Sequence, residues 1–182
     1  MDSFKFLTLP NLTTKRLALR QLLPEDDRDL YALRSDDRVN QFIDRPKPAS
    51  IEEVQAFIQN LNAGVRQREW MYWVIARRTD FRLIGTICLW NIVVETSTAE
   101  IGYELIPEAQ GQGFMQEALE EVVAFGFQAM NLKKIEAWTH PANTASIRLL
   151  EKTGFKVDEQ VKAGKPKNTG EQELVTFSLE RR

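Results

Sequence analysis

Cysteine and histidine are almost missing from this chain: its 182 residues hold one of each, Cys88 and His140. A lone cysteine excludes an intramolecular disulfide and any multi-cysteine metal site, and one histidine leaves nothing for a His-based cluster, so no metal is expected. Cys88 lies in the apolar run 84–89, where a buried, inert thiol is the expected state. No apolar run approaches the length of a membrane span. Met1-Asp2-Ser3-Phe4-Lys5 has neither the basic nor the apolar region of a cleavable leader. An excess of either charge is also lacking: 24 Lys plus Arg against 26 Asp plus Glu leave −2. That balance gives nucleic acid no electrostatic foothold. The expectation is a protein of the reducing cytoplasm with no nucleic-acid or membrane partner. Repeats, low-complexity tracts and long linkers are missing too, so residues 1–182 are expected to form a single domain.

What the chain does have is periodicity. Residues 16–20 alternate, Arg-Leu-Ala-Leu-Arg, and predict a first strand. Pro24-Glu25-Asp26 opens a helix of about ten residues ending near Arg34, with an acidic first turn. Ser50-Ile51-Glu52-Glu53 is a capping box. Ile51, Val54, Phe57, Ile58, Leu61 and Val65 then recur at helical spacing. Met71–Arg77 and residues 83–90 predict a hairpin around the turn Arg78-Thr79-Asp80, and 99–105 predict a further strand. A helix is expected over 114–130, with Met115, Leu119, Val122 and Val123 inward, then a strand at Lys134–Thr139. Asn143 caps the next helix, Ile147 and Leu150 form its apolar side, and Gly154 stops it. Residues 155–161 and 173–179 predict two closing strands around a basic loop at 162–170. An antiparallel run followed by strand–helix–strand crossovers predicts an α/β (mixed α+β) fold with helices on both faces of a mostly antiparallel sheet.

The stretch Gln110-Gly111-Gln112-Gly113-Phe114-Met115 joins a predicted strand to a predicted helix. Two glycines at a helix start turn backbone N–H groups toward an anion, and the helix end adds about half a positive charge. A nucleoside triphosphate loop needs a lysine and a hydroxyl residue after the glycines, where this chain has Phe114-Met115. A dinucleotide loop needs a third glycine, where this chain has Gln116. The pyrophosphate of coenzyme A remains as the third candidate.

Five segments in this order resemble the GNAT superfamily of acetyl-CoA-dependent N-acetyltransferases, and within it the ribosomal-protein N-terminal acetyltransferases of the Rim subgroup. They are Leu12-Thr13-Thr14-Lys15-Arg16-Leu17-Ala18-Leu19-Arg20, Leu83-Ile84-Gly85-Thr86-Ile87, Ala99-Glu100-Ile101-Gly102-Tyr103-Glu104-Leu105, Gln110-Gly111-Gln112-Gly113-Phe114-Met115-Gln116-Glu117-Ala118, and the stretch from Asn143-Thr144-Ala145-Ser146 to Gly154-Phe155. The resemblance implies a GNAT fold with a twisted sheet splayed between its fourth and fifth strands. It implies acetyl-CoA as co-substrate and direct attack by a primary amine in a ternary complex. It places pyrophosphate on Gly111, Gln112, Gly113, Phe114 and Met115. It also places an oxyanion-binding backbone N–H at Leu105 and Ile106, Asn143 against the pantetheine arm, and Ser146 beside the sulfur. A homodimer is a further family-level expectation.

Acetyl transfer needs a donor for the developing oxyanion, a neutral amine, and a proton for the departing thiolate. Many GNAT enzymes use as acid a tyrosine of the helix that Asn143 begins; no tyrosine follows Tyr103, so the resemblance favours Ser146 as the leaving-group donor. Strand alternation puts Glu100 and Glu104 on one face and Ile101, Tyr103 and Leu105 on the other. Glu104, nearer the strand's end, is the candidate base, acting through water. An α-amine, with a pKa near 8, demands less of a base than a lysine near 10.4. The first-choice acceptor is therefore the α-amine of a protein or peptide N-terminus. A polyamine or aminoglycoside acceptor, or a non-catalytic acyl-CoA-binding module, are the alternatives. Trp70, Tyr72, Trp73, Trp90 and Trp138 are expected to pack the sheet. Residues 110–132 contain no Lys or Arg. Helix-end attraction contributes about 0.3–1 kcal/mol per charge, so cations from elsewhere must complete a phosphate site.

Overall fold

Eight strands in the order β1-β2-β3-β4-β5-β6-β8-β7 form one sheet in the computed structural model, which describes residues 9–159 and 174–181. The strands are β1 Leu12–Thr13, β2 Leu17–Arg20, β3 Met71–Arg77, β4 Leu83–Val93, β5 Thr98–Leu105, β6 Lys134–Thr139, β7 Lys156–Val157 and β8 Val175–Glu180. The α-helices among the described residues are α1 Asp27–Ser35, α2 Asp37–Asn40, α3 Ile51–Gln67, α4 Phe114–Gln128 and α5 Thr144–Lys152. The basic loop expected at 162–170 lies outside the described residues.

Local signals explain most boundaries. Ser50 Oγ accepts from Glu53 N–H at 3.3 Å, and the Glu53 carboxylate takes Ala49 N–H at 2.8 Å, so α3 starts on a capping box shifted back by one residue. Asn143 Oδ1 accepts from Ser146 N–H at 3.1 Å and starts α5. Gly154, at φ 91°, ends it in the left-handed region. Three expectations need correction. The first helix opens as a 3₁₀ turn, Pro24–Asp26, because Asp26 is drawn to Arg20 through two 2.7 Å contacts and also accepts Leu23 N–H. The strand expected over 155–161 is only the two-residue β7 within the described residues. A short β1 precedes the expected first strand, so the expected fourth and fifth strands are β5 and β6.

Both faces of the sheet are covered. Along β3, Trp73 and Ile75 enter a core with α4 residues Leu119 and Val122, while Val74 and Ala76 enter a second core with Leu30, Leu33, Val54 and Ile58 from α1 and α3. All neighbouring strands pair antiparallel except β5 and β6. That parallel pair is short: Thr98, Ala99 and Glu100 face Lys134, Ile135 and Glu136. Beyond it β5 keeps only β4, through Leu105, and β6 keeps only β8, through Thr139. A bulge in β4 between Trp90 and Val93, with Asn91 at φ 46°, adds twist at the end where the pairing holds. The sheet thus splays between β5 and β6, as the resemblance implied.

Candidate active site

Gly111 and Gly113 have φ of 72° and 78°, conformations that residues with a Cβ rarely adopt. Gly113 is the cap of α4, and the first bond at this end runs from Glu117 N–H to Gly113 O at 3.1 Å. The amides ahead of Glu117 lie in the turn that no earlier carbonyl can satisfy. Gln110 and Gln112 turn back on their own loop, donating to Leu105 O at 3.0 Å and Glu108 O at 2.7 Å. Arg16 holds the loop from outside: Nη1 donates to Gln112 O at 2.9 Å, Nε pairs with Glu117 at 2.7 Å, and the guanidinium lies over Phe114.

The splay opens a cavity of about 840 Å³, within the range of small-molecule sites. Both parities of β5 line it, Glu100, Gly102 and Glu104 from one face and Ile101, Tyr103 and Leu105 from the other, so it passes through the sheet. Of the residues singled out from sequence, Glu104, Leu105, Gly111, Gly113, Phe114, Met115, Asn143 and Ser146 line this one cavity. Gln112 and Ile106 do not; Gln112 is used inside the loop, and Ile106 N–H is taken by Ile84 O at 2.9 Å. That bond makes Leu105–Gly85 a non-hydrogen-bonded pair, so Leu105 turns its own N–H and C=O toward the gap. Leu105 is therefore better placed than Ile106 to supply a donor there.

The two carboxylates of β5 differ. Glu104 is nearly buried; Arg45 Nη2 lies 2.6 Å from Oε2, a close charge pair rather than an aligned hydrogen bond, and Thr86 Oγ1 donates to Oε1 at 3.2 Å. Its charge is thus already answered. Glu100 is also buried, accepts from Asn91 Nδ2 at 2.6 Å through Oε1, and has no partner for Oε2 among the described residues. Burial raises its proton affinity, against the Asn91 hydrogen bond, and Glu136 adds to the rise. Cys88 lies on the cavity wall and is only half-buried by exposure, yet its desolvated thiol is pushed up to about 12 and stays protonated. Tyr72, Trp90 and Trp138 also line the cavity, whereas Trp73 is wholly in the core and Trp70 donates to Leu61 O.

Two features were missed from sequence. Tyr103 Oη and Ser146 Oγ lie 2.9 Å apart across the gap, so a tyrosine does reach Ser146, from the strand rather than from the following helix. Strand parity put Tyr103 on this face, but only the fold brings it to Ser146. Arg148 and Lys152, one turn apart on α5, line the cavity with no ion-pair partner among the described residues. They put on the cavity wall the positive charge that residues 110–132 lack. His140 also borders the cavity, stacked on Phe42 with centroids 5.3 Å apart, its Nδ1 accepting Ala142 N–H. No cluster of three or more His, Cys, Asp or Glu among the described residues is arranged for a metal. No helix among them is long and apolar enough to cross a membrane.

A cavity through a splayed sheet, bordered by left-handed glycines and unsatisfied helix-start amides, suits a long co-substrate with a phosphate at one end. Known proteins agree. The acetyltransferase (GNAT) domain profile matches residues 16–156. An uncharacterized N-acetyltransferase of Bacillus subtilis, YoaA, is 39% identical over 146 residues, covering 80% of this chain and 82% of its own. The fold superposes on RimL, a ribosomal L7/L12 alpha-N-protein acetyltransferase solved with coenzyme A, at a TM-score of 0.80 and 19% identity over 94% of this chain and 97% of that one. It also superposes on a chimera of spermidine N-acetyltransferase SpeG from Vibrio cholerae and hSSAT, at 0.73 and 22% over 90% and 95%. The profile match and the YoaA identity carry the assignment that these folds illustrate: the chain belongs to the GNAT family and is an acetyl-CoA-dependent N-acetyltransferase.

Proposed function

We propose that the acceptor is the α-amine of a protein or peptide N-terminus, as in the Rim subgroup, rather than a polyamine or aminoglycoside. The observation that carries this is the acceptor side of the cavity. Arg34, Arg38 and Arg45 border it, and its deep carboxylate Glu104 is spent on Arg45. A polycation needs a cluster of free carboxylates there, and this wall sets three arginines beside the half-engaged Glu100 and the rim residue Asp44.

Bound acetyl-CoA supplies the activated acetyl group. The chain's own residues do the rest. Gly111, Gly113, Phe114 and Met115 present backbone and helix-start amides to phosphate, and Arg148 and Lys152 add charge. Asn143 fixes the start of α5, and with it Ser146. Leu105 N–H, turned into the gap, is the oxyanion donor. Ser146, in contact with Tyr103, donates to the departing sulfur. Glu100, with one oxygen free, takes the amine's proton directly or through water. Glu104, the base expected from sequence, instead holds Arg45 in place. An α-amine titrates near 8, so a carboxylate with raised proton affinity suffices.

The test has two stages. Acetyl-CoA should raise the melting temperature, and Gly111→Asp, which puts an anion into a left-handed position facing phosphate, should remove the rise. Free-thiol release should then be scanned over peptide N-termini, spermidine and an aminoglycoside. Faster turnover of spermidine or the aminoglycoside than of every peptide would overturn the proposed acceptor.

A further inference from the structure

The protein itself answers two of the three arginines on the acceptor wall. Arg38 lies 2.6 Å from Asp36 and 2.9 Å from Glu108, and Arg45 lies 2.6 Å from Glu104. Arg34 has no carboxylate partner among the described residues. Its guanidinium lies over the Phe57 ring, 4.0 Å from the centroid. Stacking occupies the flat face and leaves the N–H donors around the edge of the plane. Burial, and next the charge of Arg45, lower its proton affinity, while Glu104 partly offsets them. Of the other carboxylates on the wall, Glu100 has Oε1 on Asn91 and keeps Oε2 for the role of base proposed above, and Asp44 is at the exposed rim.

The helix end that carries Arg34 is also held in place, while Phe57 places the guanidinium itself. Asn40 Nδ2 donates to Arg34 O at 2.7 Å, and Asn40 Oδ1 accepts from Arg45 Nε at 2.8 Å. One side chain therefore ties the end of α1 to the second arginine. A half-buried, positioned guanidinium with no anion of its own, facing a ligand cavity, is a carboxylate receptor.

We propose that Arg34 receives a carboxylate carried by the acceptor, so that the enzyme selects amines bearing an anionic group close to the reacting nitrogen. This rests on the peptide-acceptor reading above and specifies it: the preferred N-termini have an acidic residue within the first few positions.

The test uses the full chain and pairs of tetrapeptide amides that differ only by Glu or Gln at the second or third position, with free glutamate against free glutamine as a separate arm. The expected result is a kcat/KM at least tenfold higher for one Glu peptide than for its Gln partner, carried by KM. In Arg34→Gln that ratio should fall to within twofold, with the acetyl-CoA melting shift checking that the variant is folded. Arg34→Lys should restore only part of the ratio, because an ammonium lacks the fork. A preference confined to free glutamate keeps the carboxylate site and assigns it to an amino-acid acceptor. A ratio near one in the wild type, or one that survives in Arg34→Gln, overturns the proposal while leaving peptide acetylation standing. If no amine in the set turns over, calorimetric binding of the same pairs to the chain saturated with coenzyme A decides. A Glu-over-Gln difference lost in Arg34→Gln supports the receptor, and equal binding refutes it.

Discussion

Ser146→Ala and Tyr103→Phe, made singly and together, test how the departing sulfur is handled. The two oxygens are 2.9 Å apart. Burial, opposed by the Ser146 hydrogen bond, pushes the Tyr103 phenol up to about 12. A thiol ionises near 8.5, so full proton transfer from that phenol to a thiolate would run uphill by roughly 5 kcal/mol. Tyr103 is thus a poor acid but a good hydrogen-bond donor, and in the proposed order it donates to Ser146, which presents its own proton to sulfur. A hydrogen bond to a charged group contributes about 1.5–3 kcal/mol and a neutral one about 0.5–1.5. Ser146→Ala should therefore lower kcat by roughly 10- to 150-fold, and Tyr103→Phe by roughly 2- to 13-fold. Because the hydroxyls act in series, the double variant should be about as slow as Ser146→Ala alone. The assay is free-thiol release at saturating acetyl-CoA, with the acetyl-CoA Kd measured separately and expected to hold. Penalties that multiply, or a Tyr103→Phe defect larger than that of Ser146→Ala, would refute the series order.

Two further perturbations probe the carboxylate and the splay. Glu100→Gln keeps an oxygen for Asn91 but removes a charge whose proton affinity is raised by burial. The folded wild type then holds a proton that the unfolded chain releases above about pH 4.3, so wild-type stability falls as pH rises through that window. Glu100→Gln should accordingly be at least as stable as wild type at pH 8 and lose that advantage near pH 4, while turnover drops at least tenfold; urea melts across pH and a pH–rate profile check both. Equal turnover would remove Glu100 as the base. A Cβ at Gly85 would lie 2.3 Å from Glu104 O and 2.8 Å from Leu105 Cδ1. Backbone cannot yield as a side-chain tip does, so Gly85→Ala should cost at least about 1–3 kcal/mol in urea melts and weaken the acetyl-CoA melting shift. A loss under about 0.5 kcal/mol would mean that β4 and β5 part freely.

The elements that hydrogen-bond to their own neighbourhood were legible in the sequence. Ser50 and Asn143 act within three residues, and the glycines of 110–115 need only their own φ. Sequence patterns lose the contacts that cross the gap. Glu100 and Glu104 have the same parity, the same residue type and almost the same surroundings in sequence. What separates them is Arg45, from the segment after α2, and Asn91, from a bulge in β4. The choice between Leu105 and Ile106 as amide donor likewise turns on register: shifting the β4 pairing by one residue would exchange them. Arg34 gave no signal, because an arginine near the end of an amphipathic helix is ordinary until its neighbours are known to be paired.

The proposed phosphate site, with no basic residue in its loop, must take its charge from long-range placement. Arg16 reaches the loop from the start of β2, but its charge is shared with Glu117 and its Nη1 is used on Gln112 O, so it shapes the loop more than it charges it. Arg148 and Lys152 are exposed and have no ion-pair partner among the described residues, so they keep their charge for a ligand. An exposed charge pair contributes about 0.2–1 kcal/mol, and a charge-assisted hydrogen bond more. Arg148→Gln with Lys152→Gln should therefore raise the acetyl-CoA Kd by roughly 2- to 30-fold, depending on how many such bonds form. Both residues act through charge in water, so wild-type affinity should fall as salt rises from 50 to 500 mM, and this dependence should flatten in the double variant. The amide contribution of Gly111 and Gly113 should survive in that variant as a residual affinity that varies little with salt. An unchanged Kd with an unchanged salt slope would mean that the loop holds its anion on backbone groups alone, and that α5 serves only to position Ser146.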